Sequence, residues 1–184
     1  MIDHYNAFIS YKHEPKDIAI ARNVQKSLER YRIPKKLRET TGVNKIDRIF
    51  RDTDELPLTS DLSETIYDAL DKSDYLIVIC STKTKESQWV NREIEYFISK
   101  HSRKNVLTVL VDGEPSEVVP EILTYEEKTI IDEDGNEKVI RKDLEPLSCD
   151  YRKTIKEGNK KELPRLVSTL IGCGYDELMN RQKA

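Results

Sequence analysis

Short apolar runs alternate with amphipathic stretches along most of the chain. Five runs are too short for helices and are bounded by polar residues, so they predict strands. The third run, Tyr75–Cys80, is apolar without alternation, which is typical of a strand buried on both faces of a parallel sheet. The predicted strands are Tyr5–Ser10, Asp47–Phe50, Tyr75–Cys80, Val106–Val111 and Leu147–Cys149.

Apolar residues between these runs recur at spacings of three and four, which predicts amphipathic helices. The first helix is predicted over Lys16–Arg32 and is ended by Pro34. A polar connection around Gly42 is expected to follow it. A second helix is predicted to begin at Asp61 as its N-cap, with Glu64 as the capping-box partner. Further helices are predicted at Trp89–His101, Asn159–Ile171 and Tyr175–Arg181.

The alternation of strands and helices predicts an α/β fold, a doubly wound parallel sheet with helices on both faces. One segment departs from this pattern. β-branched residues flank Asp134-Gly135, a turn sequence, so we predict a β-hairpin insertion at about 127–142, before the last strand. We expect one domain over residues 1–174 and a helical extension over 175–184. The chain is either free-standing or continues from this extension into a further module.

Charged residues make up 35% of the 184-residue chain, but the net charge is only −3. We therefore expect no nucleic-acid partner. No apolar run approaches the roughly 20 residues of a membrane helix, so no membrane partner is expected either. The first predicted strand begins too close to the N-terminus to leave room for a targeting peptide. Three cysteines without a CxxC pair fit a reducing compartment, and the expected localisation is cytoplasmic.

Common catalytic signatures are absent from the sequence. The chain has no GxGxxG motif, no Walker A loop and no GxSxG elbow, which argues against a Rossmann dinucleotide site, a P-loop enzyme and an α/β-hydrolase. Three histidines, His4, His13 and His101, lie far apart without metal-ligand spacing, so we expect no metal site. Cys80 closes an apolar strand and is interpreted as a core residue rather than a nucleophile.

Ligands of open parallel sheets bind outside the carboxyl ends of the strands. The candidate site residues therefore follow the predicted strands: Ser10–His13, Arg51–Asp52, Cys80–Ser81 and Val111–Asp112. Trp89 and Glu93 begin the helix beside the third strand end. At a spacing of four residues they share one helix face, so the indole can wall a pocket into which the carboxylate points.

The same strand ends carry a recognisable combination of motifs. Phe8-Ile-Ser-Tyr11 ends the first strand, Phe50-Arg-Asp52 followed by Glu55-Leu-Pro-Leu58 ends the second, and Ser87-Gln-Trp-Val-Asn-Arg-Glu93 opens the third helix. In this order they resemble the Toll/interleukin-1 receptor (TIR) domain family, especially its bacterial members, over roughly Asp3 to Ile171. The resemblance implies a flavodoxin-like parallel sheet of five strands in the order 2-1-3-4-5.

The resemblance implies two alternative functions. Many bacterial TIR domains are NAD+ nucleosidases that release nicotinamide and yield ADP-ribose or a cyclic or variant product, commonly in antiphage defence. Receptor and adaptor TIR domains are instead non-catalytic TIR–TIR interaction modules, and a third reading is a nucleotide sensor without turnover. The enzymatic branch has an acidic residue four positions after the helix tryptophan, and this chain has Glu93 there. We therefore favour an NAD+ nucleosidase activated by self-association.

Glu93 is the expected catalytic residue, because a carboxylate near the ribose stabilises the oxocarbenium-like sugar formed when nicotinamide leaves. NAD+ is the expected substrate, no cofactor is expected, and the partners are another TIR domain or an effector protein. Arg51 and Asp52 contact the substrate or, alternatively, form a local ion pair that shapes the loop. The expected interface residues are Leu56, Pro57 and Leu58. The expected substrate-binding residues are Ser10, Tyr11, Lys12, Arg51, Asp52, Leu56, Ser81 and Trp89.

Overall fold

The computed structural model describes residues 4–52 and 62–183. Seven strands are present in this part of the chain. Their bounds are β1 Tyr5–Ser10, β2 Ile49–Arg51, β3 Ser73–Cys80, β4 Val106–Leu110, β5 Tyr125–Ile131, β6 Glu137–Asp143 and β7 Ser148–Asp150. The expected loop residues Leu56, Pro57 and Leu58 lie outside the described residues.

Five of these strands form one parallel sheet in the order β2-β1-β3-β4-β7. Because β7 is the fifth strand of this sheet along the chain, the predicted order 2-1-3-4-5 is confirmed. The central strand β3 is buried over Leu76–Cys80, as its continuous apolar sequence predicts. Successive residues of β3 point to opposite faces, so Ile77 and Ile79 face one core cluster while Leu76, Val78 and Cys80 face another.

Eight α-helices are described. Their bounds are α1 Pro15–Arg30, α2 Lys35–Thr41, α3 Glu64–Asp71, α4 Gln88–Lys100, α5 Pro115–Val118, α6 Ile155–Lys161, α7 Leu163–Ile171 and α8 Tyr175–Lys183. The buried stripes of α1 and α7 pack on one face of the sheet, and those of α3 and α4 pack on the other. No described helix combines the length and the apolar character that crossing a membrane requires.

Three helix predictions were wrong in detail. The segment predicted as a polar connection contains α2, which buries Leu37 and ends at Gly42 in the left-handed conformation. The predicted N-cap Asp61 lies outside the described residues, and α3 begins at Glu64 with Ser63 as its cap, whose hydroxyl accepts the Ile66 N–H. The single helix predicted over Asn159–Ile171 is divided into α6 and α7 at Glu162.

The predicted hairpin is confirmed as a separate antiparallel pair of strands, β5 and β6, inserted between β4 and β7. It is slightly longer than expected, extending to Tyr125 and Asp143. Gly135 has φ of 81°, a left-handed conformation that the turn sequence Asp134-Gly135 accommodates. Most residues of both strands are exposed, because the hairpin projects from the main sheet.

Candidate active site

Glu93 lies on the buried stripe of α4. The helix begins after Ser87, whose hydroxyl accepts the Val90 N–H and caps the first turn. Glu93 follows Val90 by three residues and precedes Phe97 by four, so it shares their face toward the sheet. Only 7% of Glu93 is exposed. The sequence therefore places an ionisable group where a helix of this pattern normally has an apolar side chain.

Ser10 is the hydrogen-bond partner of this carboxyl group. It is the last residue of β1 and is fully buried, and its hydroxyl donates to Glu93 Oε1 across 2.8 Å. Ser10 faces α4 because it follows Phe8 by two residues on the same side of the strand. Among the described residues no buried side-chain oxygen lacks a hydrogen-bond partner. The Ser10 hydroxyl thus fixes one oxygen of the carboxyl group, Oε1, and leaves Oε2 outside this bond.

The environment of Glu93 favours its neutral form. Burial raises the pKa of the carboxyl group from 4.5 to about 8, although the Ser10 hydrogen bond lowers it and the negative charge of Asp52 raises it further. At neutral pH the carboxyl group of the free protein is therefore mostly protonated. A cation placed next to Oε2 would favour the ionised form, since an opposite charge offsets the cost of burial.

A second hydrogen-bonded group, on the α1 side of the sheet, joins the ends of β1 and β2. The Tyr11 hydroxyl donates to the backbone carbonyl of Asp52 at 2.5 Å and accepts from Arg51 Nη1 at 3.2 Å. Arg51 Nε also donates to Gln25 Oε1 on α1 at 2.6 Å. Burial raises the pKa of Tyr11, and the negative charges of Asp52 and Glu93 contribute in the same direction. Tyr11, Arg51, Asp52 and Glu93 are thus brought into one electrostatic environment.

Ser81 lies in a different polar cluster, on the opposite face of the sheet. Its hydroxyl donates to Asp17 Oδ2 on α1 across 2.8 Å, and its backbone N–H donates to Thr84 Oγ1 at 2.7 Å. Asp17 is buried, and burial raises its pKa from 3.8 to about 6. Sequence reasoning missed Asp17. The available signal was its position on the apolar face of α1, four residues before Ala21 and seven before Val24.

Three other predicted residues are placed as follows. Lys12 is half-buried, with Nζ 3.9 Å from Glu14 Oε1. Trp89 is half-buried and packs against the core cluster that α3 and α4 share. Cys80 is fully buried, and burial raises the pKa of its thiol far above the usual range, which agrees with its interpretation as a core residue.

Three cavities lie away from Glu93. One of about 330 Å³ lies at the base of the hairpin, near Arg103 and Leu144. A second, of about 560 Å³, lies beside the end of α1, near Arg30 and Arg38. A third, of about 450 Å³, is lined by Pro115 and its neighbours. Glu93 lines none of these three, and the segment 53–61, which follows Asp52 directly, is outside the described residues. Within the described ranges no group of three or more His, Cys, Asp or Glu residues could hold a metal ion.

Comparison with protein-family models identifies the family of the chain. Residues 8–116, more than half of the chain, match the model described as "Thoeris protein ThsB, TIR-like domain". The matched region runs from β1 through the first residues of α5 and therefore includes Ser10, Asp52 and Glu93.

Similar proteins include one curated relative and one solved structure. The NAD(+) hydrolase ApTIR of Actinoplanes sp. (strain ATCC 31044 / CBS 674.73 / SE50/110) is 36% identical over 110 residues, which are 60% of this chain and 14% of that protein. The chain thus matches a small part of that relative's length. Among solved structures, the TIR domains of the activated Roq1 resistosome directly recognizing the pathogen effector XopQ have 20% identity and a TM-score of 0.44. That alignment covers 61% of this chain and 60% of that chain.

Proposed function

The chain belongs to the TIR-like domain family of the Thoeris protein ThsB, and from this membership and the geometry around Glu93 we propose that it is an NAD+ nucleosidase. The observation that carries the proposal is the buried carboxyl group of Glu93, held by Ser10 at the carboxyl edge of the sheet. The similarity to a protein named as an NAD(+) hydrolase supports the same substrate.

The reaction breaks the bond between the nicotinamide nitrogen and C1′ of the adjoining ribose. The bonding electron pair leaves with nicotinamide, which becomes neutral and needs no proton, while the ribose acquires oxocarbenium character. A nearby carboxylate stabilises this positive charge and can accept a hydrogen bond from a ribose hydroxyl. Water then attacks C1′ and loses a proton to give ADP-ribose, or a nucleophile within the same molecule gives a cyclic or variant product.

Ionisation of Glu93 is part of this mechanism. The free protein holds the proton because the carboxyl group is buried and Asp52 lies nearby. NAD+ brings a positively charged nicotinamide ring, which favours the carboxylate when it binds beside Oε2. Ser10 then keeps Oε1 fixed, so Oε2 faces the sugar. We accordingly assign Ser10 to orienting the catalytic carboxylate rather than to bond breaking.

The remaining substrate contacts are proposed from position. Tyr11, Arg51 and Asp52 share the environment of Glu93 and are proposed to line the ribose side of the site. Lys12 directly follows Tyr11 with its side chain half-buried, and it is proposed to approach the pyrophosphate. Trp89 is proposed to border the nicotinamide, one helical turn before Glu93. Leu56 completes the proposed contacts, whereas Ser81, whose hydroxyl donates to Asp17 on the opposite face of the sheet, is assigned a structural role. No further cofactor is proposed.

We propose that self-association activates the enzyme, with Leu56, Pro57 and Leu58 forming one contact surface and with antiphage defence as its biological setting. The family membership supports this part of the proposal. Association would exclude water from the site and hold the loop that follows Asp52, both of which favour cleavage over the resting state.

Nicotinamide release from NAD+ tests the cleavage proposal. The wild-type protein, concentrated or clustered on beads, is compared with Glu93→Gln and with the control Glu95→Gln. Glu95 lies on the same helix but is exposed, so its substitution should leave turnover unchanged. Loss of release in Glu93→Gln alone supports the enzyme. Background release from all three proteins would reject it and favour the alternative, a non-catalytic TIR–TIR interaction domain.

A further inference from the structure

Exposed large apolar side chains are concentrated on the β5–β6 hairpin. Of the four such residues in the described part of the chain, Ile130, Ile131 and Val139 lie on the hairpin, and only Tyr175 lies elsewhere. Ile131 is 75% exposed and Val139 is 62% exposed. Ile131 and Val139 lie on adjacent strands and on the same face of the hairpin, and exposed apolar side chains grouped in this way are typical of an interaction site.

The hairpin also has unpaired backbone. Among the described strands, β5 and β6 pair only with each other, so each has an outer edge without a strand partner. A two-stranded hairpin is marginally stable by itself in water. An unpaired edge presents a row of N–H and C=O groups that can pair with another strand. Both features favour the addition of strands to this hairpin.

Two hydrogen bonds show which backbone groups of β6 face outward. The Asp132 N–H donates to the Asn136 carbonyl at 2.9 Å, and the Leu144 N–H donates to the Thr124 carbonyl at 2.8 Å. Both bonds join even-numbered residues at opposite ends of one antiparallel ladder, in which hydrogen-bonded and non-hydrogen-bonded pairs alternate. The odd-numbered residues of β6 therefore direct their N–H and C=O groups to the outer edge: Glu137, Val139 and Arg141.

The charged side chains of β6 favour one register when this edge pairs with the same edge of a second copy of the chain. With Val139 on the two-fold axis, Val139 opposes its own copy and Glu137 opposes Arg141 of the second copy on both sides of the axis. Opposite charges across a strand pair are favourable. With Ile140 on the axis instead, Lys138 would oppose Lys142 of the second copy, so like charges would meet.

The edge of β5 offers no comparable arrangement. An axis at Glu127 or at Lys128 places that charged side chain opposite its own copy, which is unfavourable. An axis at Thr129 or at Ile130 brings no opposite charges together within the strand, and at Ile130 the pair Lys128–Asp132 forms only beyond the strand end. Charge pairs within the strand therefore favour self-pairing at β6 over β5.

We propose that the chain forms a symmetric dimer through the outer edge of β6. The two hairpins join into one four-stranded antiparallel sheet, in which Val139 and the Glu137–Arg141 pairs exchange backbone hydrogen bonds across the axis. The partner is a second copy of this chain. The dimer goes beyond the proposed cleavage of NAD+ and does not rest on it, because its surface lies outside the Glu93 site and its readout is mass rather than turnover.

Sedimentation velocity over a range of protein concentrations tests the dimer, with Val139→Pro as the main variant. Proline at this position removes an outward N–H but no bond between β5 and β6, a placement that edge strands tolerate. We expect the dimer dissociation constant to rise roughly tenfold or more, since the central hydrogen bonds are lost. The matched control is Thr129→Pro, which removes an outward N–H from β5 opposite Val139 and should leave the dimer intact.

A charge exchange tests the register. Arg141→Glu alone should weaken the dimer, and adding Glu137→Arg should restore it. Both variants lack the contact of Arg141 with the Tyr125 ring. The difference between their dimer dissociation constants therefore reports the charge pairing across the axis. A wild-type protein that stays monomeric at every concentration overturns the proposal, as does a Val139→Pro dimer of unchanged affinity. If the double variant dimerises no more tightly than Arg141→Glu, the proposed register is wrong.

Discussion

Two buried carboxyl groups accept a serine hydroxyl at the carboxyl edge of the sheet, one on each face. Ser10 donates to Glu93 on the α4 face, and Ser81 donates to Asp17 on the α1 face, each across 2.8 Å. Both carboxyl groups have raised pKa values because both are buried. By hydrogen-bond geometry alone the two pairs are equivalent.

Their surroundings differ. Ser81 and Thr84 form a closed cluster in which Thr84 Oγ1 also donates to the Ile79 carbonyl at 3.1 Å. Asp17 lies in the first turn of α1, where the helix dipole favours a negative charge. Glu93 lies mid-helix and has Ser10 as its partner among the described residues. Negative neighbours raise the pKa of both groups, Asp52 that of Glu93, and Asp112 and Glu14 that of Asp17. Asp17 therefore ties the loop after β3 to α1, whereas Glu93 is a buried carboxyl group that burial holds in its neutral form.

The largest expected difference between the two pairs is in turnover. Glu93→Gln keeps an acceptor for Ser10 but removes the negative charge, so nicotinamide release should fall on the order of 100-fold or more. Asp17→Asn makes the same chemical change in the other pair and should keep most of the activity. Initial rates at saturating NAD+ check this. Equal losses in both variants would contradict the separation of roles.

The second difference is in how stability depends on pH. The folded protein holds the Glu93 proton up to about pH 8, whereas an unfolded chain loses it near pH 4.5. The contribution of Glu93 to the free energy of unfolding therefore falls as pH rises through this window, by about 1.4 kcal/mol per pH unit, and is level below and above it.

Urea denaturation at a series of pH values measures this contribution as the wild type minus Glu93→Gln. The same difference taken with Asp17→Asn measures the contribution of Asp17, which should fall over a lower pH range, from about pH 3.8 to about pH 6. If the free energies of unfolding of the wild type and of Glu93→Gln change in parallel between pH 5 and pH 8, the Glu93 carboxyl group is not held neutral.

The third difference concerns the two serines. Ser81→Ala breaks a cluster that joins a helix to a loop and deprives a buried carboxyl group of its donor, so we expect a loss of about 1–3 kcal/mol in unfolding free energy. Ser10→Ala should cost about 1 kcal/mol or less, because a neutral Glu93 carboxyl group needs less compensation. Ser10→Ala should instead raise the apparent pKa of kcat/KM. A larger loss of unfolding free energy in Ser10→Ala than in Ser81→Ala would contradict these different roles.

The smallest expected effect is that of Asp52→Asn. The charge of Asp52 is a minor contribution to the raised pKa of Glu93, after burial. Removing this charge should shift the pH profile of kcat/KM to slightly lower pH. The pH dependence that Asp17 gives to the free energy of unfolding should stay unchanged. Steady-state kinetics across pH 6–9 check this, and a shift to higher pH would contradict the assigned sign.

Much of the fold was predictable because its strongest signals are local. The uninterrupted apolar run of β3 identifies a strand buried on both faces, and Asp134-Gly135 between β-branched residues identifies a hairpin. Helix α2 was not predicted, since Leu37 is its only buried residue and no periodicity can be read from one position. The division between α6 and α7 was also missed, although Pro164 lies in the first turn of α7, a position that proline favours.

The candidate site was only partly predictable. Strand ends and motifs single out Ser10 and Glu93, but nothing in the spacing of two residues 83 positions apart predicts their hydrogen bond. Asp17 escaped because a carboxylate in the first turn of a helix is usually an exposed dipole partner. Its burial depends on Ser81, which approaches only through the packing of α1 on the sheet.

The pH dependence of kcat/KM for NAD+ cleavage tests the central claim, that a buried neutral Glu93 must ionise to act, most directly. This parameter reports ionisations of the free enzyme. We predict that it rises about tenfold per pH unit below pH 8 and levels off above it, in step with the pKa of Glu93. A profile that is flat between pH 6 and pH 8 would contradict the claim.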